Sequence, residues 1–201
     1  MFVRWCIGLF AICMTLLVQA QDVEAVKRAA EQGDAEAQNN LGMMYLGGRG
    51  VALDGVEAMK WFRKAAEQGH RDAHYNLGMM YKTGRGVAQN NAEVVKWFRG
   101  AADLGHLKAQ YSLGLMYSAG RGVAQNNGEA VKWFRMAAER GHRDAQYFLA
   151  RMYAKGLGVA RNDAEALRWL YKSAEQGNKD AQKTIESMQK KKPRSAVPSA
   201  I

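Results

Sequence analysis

The sequence predicts an all-α fold, an α-solenoid of about four 36-residue helix-turn-helix repeats with flanking single helices. Three series of residues recur at this fixed interval. They are four tryptophans (Trp61, Trp97, Trp133, Trp169), four tyrosines (Tyr45, Tyr81, Tyr117, Tyr153) and five glycines (Gly33, Gly69, Gly105, Gly141, Gly177). A period of this order is typical of proteins whose structural units stack in a row, because one unit cannot bury its apolar face alone.

The N-terminal end reads as an export signal, residues 1–20. Met1–Arg4 carries one positive charge, and the 14 largely apolar residues Trp5–Val18 follow it. This stretch is shorter than the roughly 20 residues that span a bilayer comfortably, so we expect cleavage before Gln21, with an uncleaved anchor as the alternative. The protein is therefore expected to be exported, to the periplasm or the medium, with no transmembrane span after cleavage. Both cysteines, Cys6 and Cys13, lie in the signal, so the mature chain would be stabilised by packing without disulfides.

Each repeat begins with a helix whose apolar residues share one face. In the first repeat Ala37, Leu41 and Tyr45 follow at i, i+4 and i+8. Three repeats carry a glycine inside this helix, where glycine costs about 1 kcal/mol relative to alanine. These glycines are Gly42, Gly78 and Gly114, and the fourth repeat has Ala150. The recurrence of a destabilising residue predicts that a neighbouring helix approaches closely at this position.

A glycine-rich link such as Gly48-Arg49-Gly50-Val51 is expected to end the first helix, because glycine tolerates positive φ. The second helix starts at an N-cap residue with glutamate three positions later, the spacing of a capping box. The four pairs are Asp54/Glu57, Asn90/Glu93, Asn126/Glu129 and Asn162/Glu165. The tryptophans follow on the face expected in the core, with Lys60, Arg63 and their copies on the solvated face. Gly69 and its copies are expected to terminate the helix.

These signals divide the chain into five kinds of segment. They are a signal peptide (1–20), an N-terminal flanking helix (21–33), four repeats (34–69, 70–105, 106–141 and 142–177), a C-terminal capping helix (178–191) and a disordered basic tail (192–201). In the capping helix Lys183, Glu186 and Gln189 stand where the second repeat has Tyr75, Gly78 and Tyr81. A polar final helix suits a terminal unit, since its outer face meets water.

The formal net charge of +10 favours contact with anionic lipid, a cell-wall polymer or an acidic protein face. Nucleic acid is not expected as a partner in an exported compartment. The alternative is that the charge serves solubility alone. The segment Lys190–Arg194 concentrates four of the positive charges.

The residue patterns do not predict a catalytic or metal site. His70, His106 and His142 recur two helices apart, and packed helices lie about 8–10 Å from each other, too far for one metal with ligand bonds of about 2 Å. We therefore expect turn or cap roles for these histidines. The Gly-x-Gly links follow helices and lack the Lys-Ser/Thr ending of a phosphate loop, although their arginines could bind acidic groups or simply be solvated. We expect no enzymatic activity, no cofactor and no metal.

The pattern A-x-x-x-L-G-x-x-Y-x-x-G-x-G-V, followed by D/N-x-x-E-A, W-F and A-A-x-x-G, resembles the Sel1-like repeat (SLR) family, a tetratricopeptide-like class. In the second repeat it is carried by Ala73, Leu77, Gly78, Tyr81, Gly84, Gly86, Val87, Trp97, Phe98, Ala101, Ala102 and Gly105. The resemblance spans residues 34–177 and implies a right-handed α-solenoid that acts as an adaptor or scaffold, often in a bacterial envelope. Some exported members have a cysteine pair in each repeat, which this chain lacks.

By resemblance to tetratricopeptide hairpins, the first helix of each repeat lines a concave groove. The implied partner-binding residues are Asn39, Met43, Asp72, Tyr75, Met79, Lys82, Lys108, Tyr111, Leu115, Asp144, Tyr147 and Arg151. The three tyrosines would form an aromatic column, and the alternative is that they only pack against the adjacent repeat. The charge changes from Asp72 to Lys108 to Asp144 favour recognition, because core positions repeat faithfully and these do not.

The favoured hypothesis is a non-catalytic envelope scaffold that binds a protein or peptide partner in the groove. Two alternatives remain open at this point. One is an envelope hydrolase acting on cell-wall material, and the other is a structural protein that docks to anionic surfaces through its basic tail.

Overall fold

The computed structural model describes residues 22–191, so the expected signal peptide and basic tail lie outside the described residues. Within that range every regular element is an α-helix, which confirms the all-α class. Helix α1 covers residues 22–31. It is followed by α2 (Ala35–Gly47), α3 (Gly55–Glu67), α4 (Arg71–Thr83), α5 (Asn91–Asp103), α6 (Leu107–Ala119), α7 (Asn127–Glu139), α8 (Arg143–Lys155), α9 (Asp163–Glu175) and α10 (Lys179–Lys191).

The described helices group into two compact units, one that ends at His106 and one that begins at Leu107. The first helices of the four repeats are α2, α4, α6 and α8, and the second helices are α3, α5, α7 and α9. In the first unit α2 packs on α3 and α4 packs on α5, and the contact between α3 and α4 joins these two hairpins. The second unit repeats this arrangement with α6–α9, and α10 packs on α9. None of the helices within residues 22–191 has both the length and the hydropathy needed to cross a bilayer.

The close helix approach predicted from the mid-helix glycines is confirmed. A Cβ atom added to Gly42 would lie 2.7 Å from the ring of Phe62, and one added to Gly78 would lie 2.6 Å from Cε1 of Phe98. These phenylalanines are fully buried. The fourth repeat has alanine in the glycine position and the smaller Leu170 in the phenylalanine position. The first helix therefore has room for a methyl group only in the repeat whose partner residue is smaller.

The predicted N-caps of the second helices are confirmed, but the capping box is only half formed. Asp54, for example, accepts from the backbone N–H groups of Val56 and Glu57. The N–H of Asp54 donates to the Tyr45 carbonyl at 3.0 Å, and the other three caps donate to the matching tyrosine of their own repeat. Because the first helix already supplies this acceptor, the capping-box glutamate is available elsewhere, and Glu93 accepts from Nε1 of Trp97.

The expectation that all four tryptophans are core residues is only partly met. Trp133 and Trp169 are each 4% exposed, whereas Trp61 and Trp97 are half-buried. The residue after the tryptophan is buried in all four second helices, and in three of them it is a phenylalanine, such as Phe62, that faces the mid-helix glycine. Lys60 and Arg63 are exposed, as expected for the solvated face, and Arg63 also donates to the hydroxyl of Tyr81 in the following repeat at 3.2 Å.

Candidate functional site

The implied partner-binding residues all lie on first helices. Asn39 and Met43 are on α2, Asp72, Tyr75, Met79 and Lys82 on α4, Lys108, Tyr111 and Leu115 on α6, and Asp144, Tyr147 and Arg151 on α8. The structure places them in two groups, one in each compact unit.

In the first unit the histidine at each repeat boundary connects two first helices. Nδ1 of His70 accepts from the N–H of Ala73, so His70 is the N-cap of α4 and the expected cap role is confirmed. Because Nδ1 is the acceptor, the neutral imidazole carries its proton on Nε2, and this N–H donates to Glu36 of the preceding repeat at 2.9 Å. Asp72 stands in the matching relation to His106, with 3.8 Å between Oδ1 and Nε2. Two acidic side chains of this face, Glu36 and Asp72, therefore contact the histidine of the following repeat.

Tyr75 is packed and partly exposed at the same time. Its ring stacks on His106 with 4.2 Å between centroids, and on Phe98 with 5.2 Å. Burial raises the pKa of the Tyr75 hydroxyl, which keeps the group neutral. Tyr75 thus packs against its neighbours, as the alternative interpretation expects, and it also remains partly exposed.

Asn39 departs from the expectation of an open groove position. Its side chain is 7% exposed, and its Oδ1 accepts from the amide of Asn76 at 2.9 Å. The reason is that Asn39 and Asn76 lie on facing first helices, where a short amide pair fills the interface. On the same face Met43 and Met79 are half-buried and Lys82 is exposed, so these three side chains are the accessible part of the group.

In the second unit Tyr111 stacks on His142 with 4.6 Å between centroids. Nδ1 of His142 accepts from the N–H of Ala145, which makes His142 the N-cap of α8. Burial lowers the pKa of His142, and the charges of Arg143 and Lys108 act in the same direction while Asp144 acts in the opposite one. Asp144 accepts from Asn178, the residue in the corresponding boundary position of the next repeat, at 3.0 Å.

Arg151 and Lys108 are exposed on this unit, whereas Leu115 and Tyr147 are half-buried. The guanidinium of Arg151 lies over two aromatic rings, 5.7 Å from the centroid of Tyr147 and 5.5 Å from that of Phe148. Phe148 was not among the residues predicted for this face. Its only sequence signal is that an aromatic residue replaces the Asn40, Asn76 and Ser112 of the other repeats.

A buried polar series between helices also went unrecognised in the sequence. Gln146 is 4% exposed, donates to the Ala138 carbonyl and accepts from Gln176. Gln38 makes the same two contacts with Ala30 and Gln68. The signal that could have identified the series is a glutamine that recurs directly after a core alanine.

His74 occupies the glutamine position in the second repeat. It bonds to the backbone of Ala66, and its Nδ1 is buried beside Gly100 without a hydrogen-bond partner. A Cβ on Gly100 would lie 2.6 Å from this nitrogen, so the glycine makes room for the imidazole. Burial lowers the pKa of His74, because a charged ring there would lack solvation.

Among residues 22–191 no group of three or more histidine, cysteine, aspartate or glutamate side chains is arranged to hold a metal ion. The boundary histidines instead form caps, stacks and ion pairs. This arrangement can position aromatic rings and charges on a rigid surface for recognition.

The fold and this surface define a tetratricopeptide-like protein built from stacked α-hairpins. The chain belongs to the Sel1 repeat family, which matches residues 35–70, 71–106, 107–142 and 143–178. The matched repeats start one residue after the boundaries inferred from the sequence, at the first helical residue. Sel1 repeat proteins generally act as non-catalytic scaffolds that mediate protein–protein interactions.

Two solved structures show the relationship at the level of sequence and fold. A protective antigen present in uropathogenic Escherichia coli strains, which displays an SLR fold, is 43% identical and has a TM-score of 0.79. A Sel1 repeat protein from Oxalobacter formigenes is 38% identical, also with a TM-score of 0.79. The matches cover 83% and 85% of this chain but only 36% and 50% of those two proteins. A comparison with the curated proteins found no match.

Proposed function

We propose that the protein is an exported, non-catalytic adaptor of the bacterial envelope that binds segments of a partner protein on the exposed faces of its first helices. Family membership supports protein binding in general. The observation that carries the specific proposal is the contrast between faithful core positions and variable positions on the same helices. Leu41, Leu77, Leu113 and Leu149 repeat without change and are fully buried, whereas the accessible position two residues later reads Met43, Met79, Leu115 and Arg151.

Physical constraints explain why this contrast bears on function. A buried position has to repeat because every hairpin presents the same space to its neighbour. An accessible position has no such constraint, and surface substitutions change stability little. Methionine and tyrosine at such positions provide adaptable apolar contacts and rigid aromatic ones, both suited to recognition. The first-helix face therefore combines a fixed scaffold with side chains that differ from repeat to repeat.

The proposal is tested by partner capture with matched variants. The double variant Met79→Ser and Lys82→Ser alters the accessible first-helix face, and Lys60→Ser with Lys64→Ser alters exposed positions of a second helix. Purified mature protein would be cross-linked to envelope proteins, and the captured species identified and then confirmed with the purified partner. We expect the first-helix variant to reduce binding of that partner while helicity and the control variant are unaffected. Equal binding by both variants would contradict the proposal.

Export is tested independently by the mass of the protein recovered from the periplasm or medium. We expect a chain that begins at Gln21, the residue after the inferred cleavage site. Recovery of the full chain from the cytoplasm alone would refute export.

A further inference from the structure

The fourth repeat departs from the other three at four positions that lie close together. Phe148 replaces asparagine or serine, and Arg151 replaces methionine or leucine. Lys155 stands where the other repeats have Gly47, Thr83 and Ala119, and Leu157 stands where they have Arg49, Arg85 and Arg121. Phe148 and Leu157 make two of these positions apolar, and Arg151 and Lys155 add positive charge at the other two.

All four side chains line one cavity of about 250 Å³ in the second unit, between the hairpins of the third and fourth repeats. Phe134, Phe148 and Met152 provide apolar surface, and the two phenylalanine rings stack with 5.4 Å between centroids. Leu157 borders the opening and is 39% exposed. Because Phe134 and its glycine partner are common to three repeats, the feature specific to this site is the added wall of Phe148 and Leu157.

The rim of the cavity is positively charged. Arg151 and Lys155 are exposed, and no acidic side chain is among the lining residues. The ion pairs of the described residues do not include either cation. The guanidinium of Arg151 is held over the ring of Phe148, which orients its remaining N–H groups. The site thus offers oriented donors beside an apolar wall.

The volume limits what could occupy the cavity. Small-molecule sites commonly enclose about 300–1,000 Å³, so this cavity is better matched to a single large side chain. An apolar interior favours an aromatic side chain, and the cationic rim favours carboxylates next to it. The chain's own C-terminal segment has the wrong charge, because Lys190–Arg194 is basic.

We propose that this cavity binds a peptide segment of a partner protein in which one aromatic residue is flanked by aspartate or glutamate. The inference rests on the proposed adaptor function and gives it a specific site. The aromatic side chain enters the cavity and packs against Phe148 and Leu157, and the flanking carboxylates accept hydrogen bonds from Arg151 and Lys155. The cations restrict the partner to acidic segments, and the size of the cavity restricts the anchor to one ring.

The test uses fluorescein-labelled nonapeptides with a central Asp-Phe-Glu, Asp-Ala-Glu or Lys-Phe-Lys sequence, and the full mature chain, with binding followed by fluorescence anisotropy. The variant Arg151→Met with Lys155→Thr installs the residues that the second repeat carries at these positions, Met79 and Thr83. Its control is Lys179→Thr with Lys183→Thr, which removes the same charge from exposed positions of α10. Circular dichroism of each variant confirms that helicity is retained.

We expect saturable binding of the Asp-Phe-Glu peptide that weakens at least about tenfold in the double cavity variant and hardly changes in the control. The alanine and lysine peptides should each bind at least about tenfold more weakly than the parent peptide. Absence of saturable binding, equal binding by the cavity variant, or equal binding of the alanine peptide would each overturn the proposal. If the envelope partner still depends on Met79 and Lys82 while the peptides fail, the adaptor function stands and this site is rejected.

Discussion

The glycine at the centre of each first helix allows a sharp test of how the repeats pack. In isolation, Gly78→Ala should stabilise α4, since alanine is favoured over glycine by about 1 kcal/mol in a helix interior. The added Cβ would lie 2.6 Å from Cε1 of Phe98, a ring that is 1% exposed and enclosed on all sides. Overpacking of this kind costs about 1–3 kcal/mol. We therefore expect a net destabilisation of roughly 0–2 kcal/mol.

The fourth repeat supplies the compensating change, because it pairs Ala150 with Leu170. Phe98→Leu alone removes three buried carbon atoms and should cost about 2 kcal/mol at roughly 0.8 kcal/mol for each. In the double variant the alanine no longer meets a ring, so the overpacking strain disappears. The coupling free energy of the two substitutions should therefore equal that strain, about 1–3 kcal/mol.

Urea unfolding of the wild type, the two single variants and the double variant, followed by far-ultraviolet circular dichroism, measures this coupling. The same m-value in all four proteins is required, since repeat arrays can unfold in parts. A coupling below about 0.5 kcal/mol, the scatter expected for independent sites, would refute the idea that ring size determines the residue at the glycine position.

Three further predictions concern the links, the caps and the titration of buried histidines. Gly86→Ala should lower the free energy of unfolding by more than about 2 kcal/mol, because φ is positive there and the added Cβ meets the Gly55 backbone. Gly69 also has positive φ but open space around it, so Gly69→Ala should cost only about 1 kcal/mol. Equal losses for the two variants in urea unfolding would contradict the packing argument. Asn162→Ala should lower the free energy of unfolding by about 1 kcal/mol, since its side chain accepts from the N–H of Glu165, and an unchanged unfolding midpoint would exclude this contribution. Burial lowers the pKa of His142, so the unfolded chain binds more protons than the folded one. The stability that depends on His142 should be fully present above the ordinary histidine pKa of about 6.5 and should fall as the pH drops below it. Thermal melts at several pH values should show a smaller fall in stability for His142→Asn, which keeps a capping side chain.

The fold could be read from the sequence because its determinants recur. The capping residues and the helix-ending glycines recur at the same interval four times or more. A pattern that arose by chance in one repeat would therefore be absent from the others. The mid-helix glycines were informative for the same reason, since a repeated cost implies a repeated contact. Their exact partner, Phe62 rather than Trp61, depends on which of two adjacent aromatic residues points inward. That choice is made by a rotation of the helix that the pattern alone does not specify.

The candidate site was less accessible to sequence reasoning, because accessibility depends on which side chains meet across repeats. Asn39 occupies a helix position equivalent to Tyr75 and Tyr111, yet it is buried because Asn76 reaches it from the facing helix. The half-formed capping box has a similar origin. The acceptor for the cap N–H comes from a carbonyl nine residues earlier in the chain, and no local motif encodes that approach.

Internal repetition also explains why recognition features can be separated from packing features within a single chain. Equivalent positions have nearly the same backbone surroundings, so a side chain that differs in one repeat is a substitution made in a constant framework. His74 illustrates a departure that remains within the packing, since Gly100 compensates for it directly. Phe148 and Arg151 illustrate the other case, because they add an aromatic wall and an exposed cation that the packing of the other repeats does without. A departure without an internal compensation leaves surface available to a second molecule, and this is the physical reason to look for the partner at the fourth repeat.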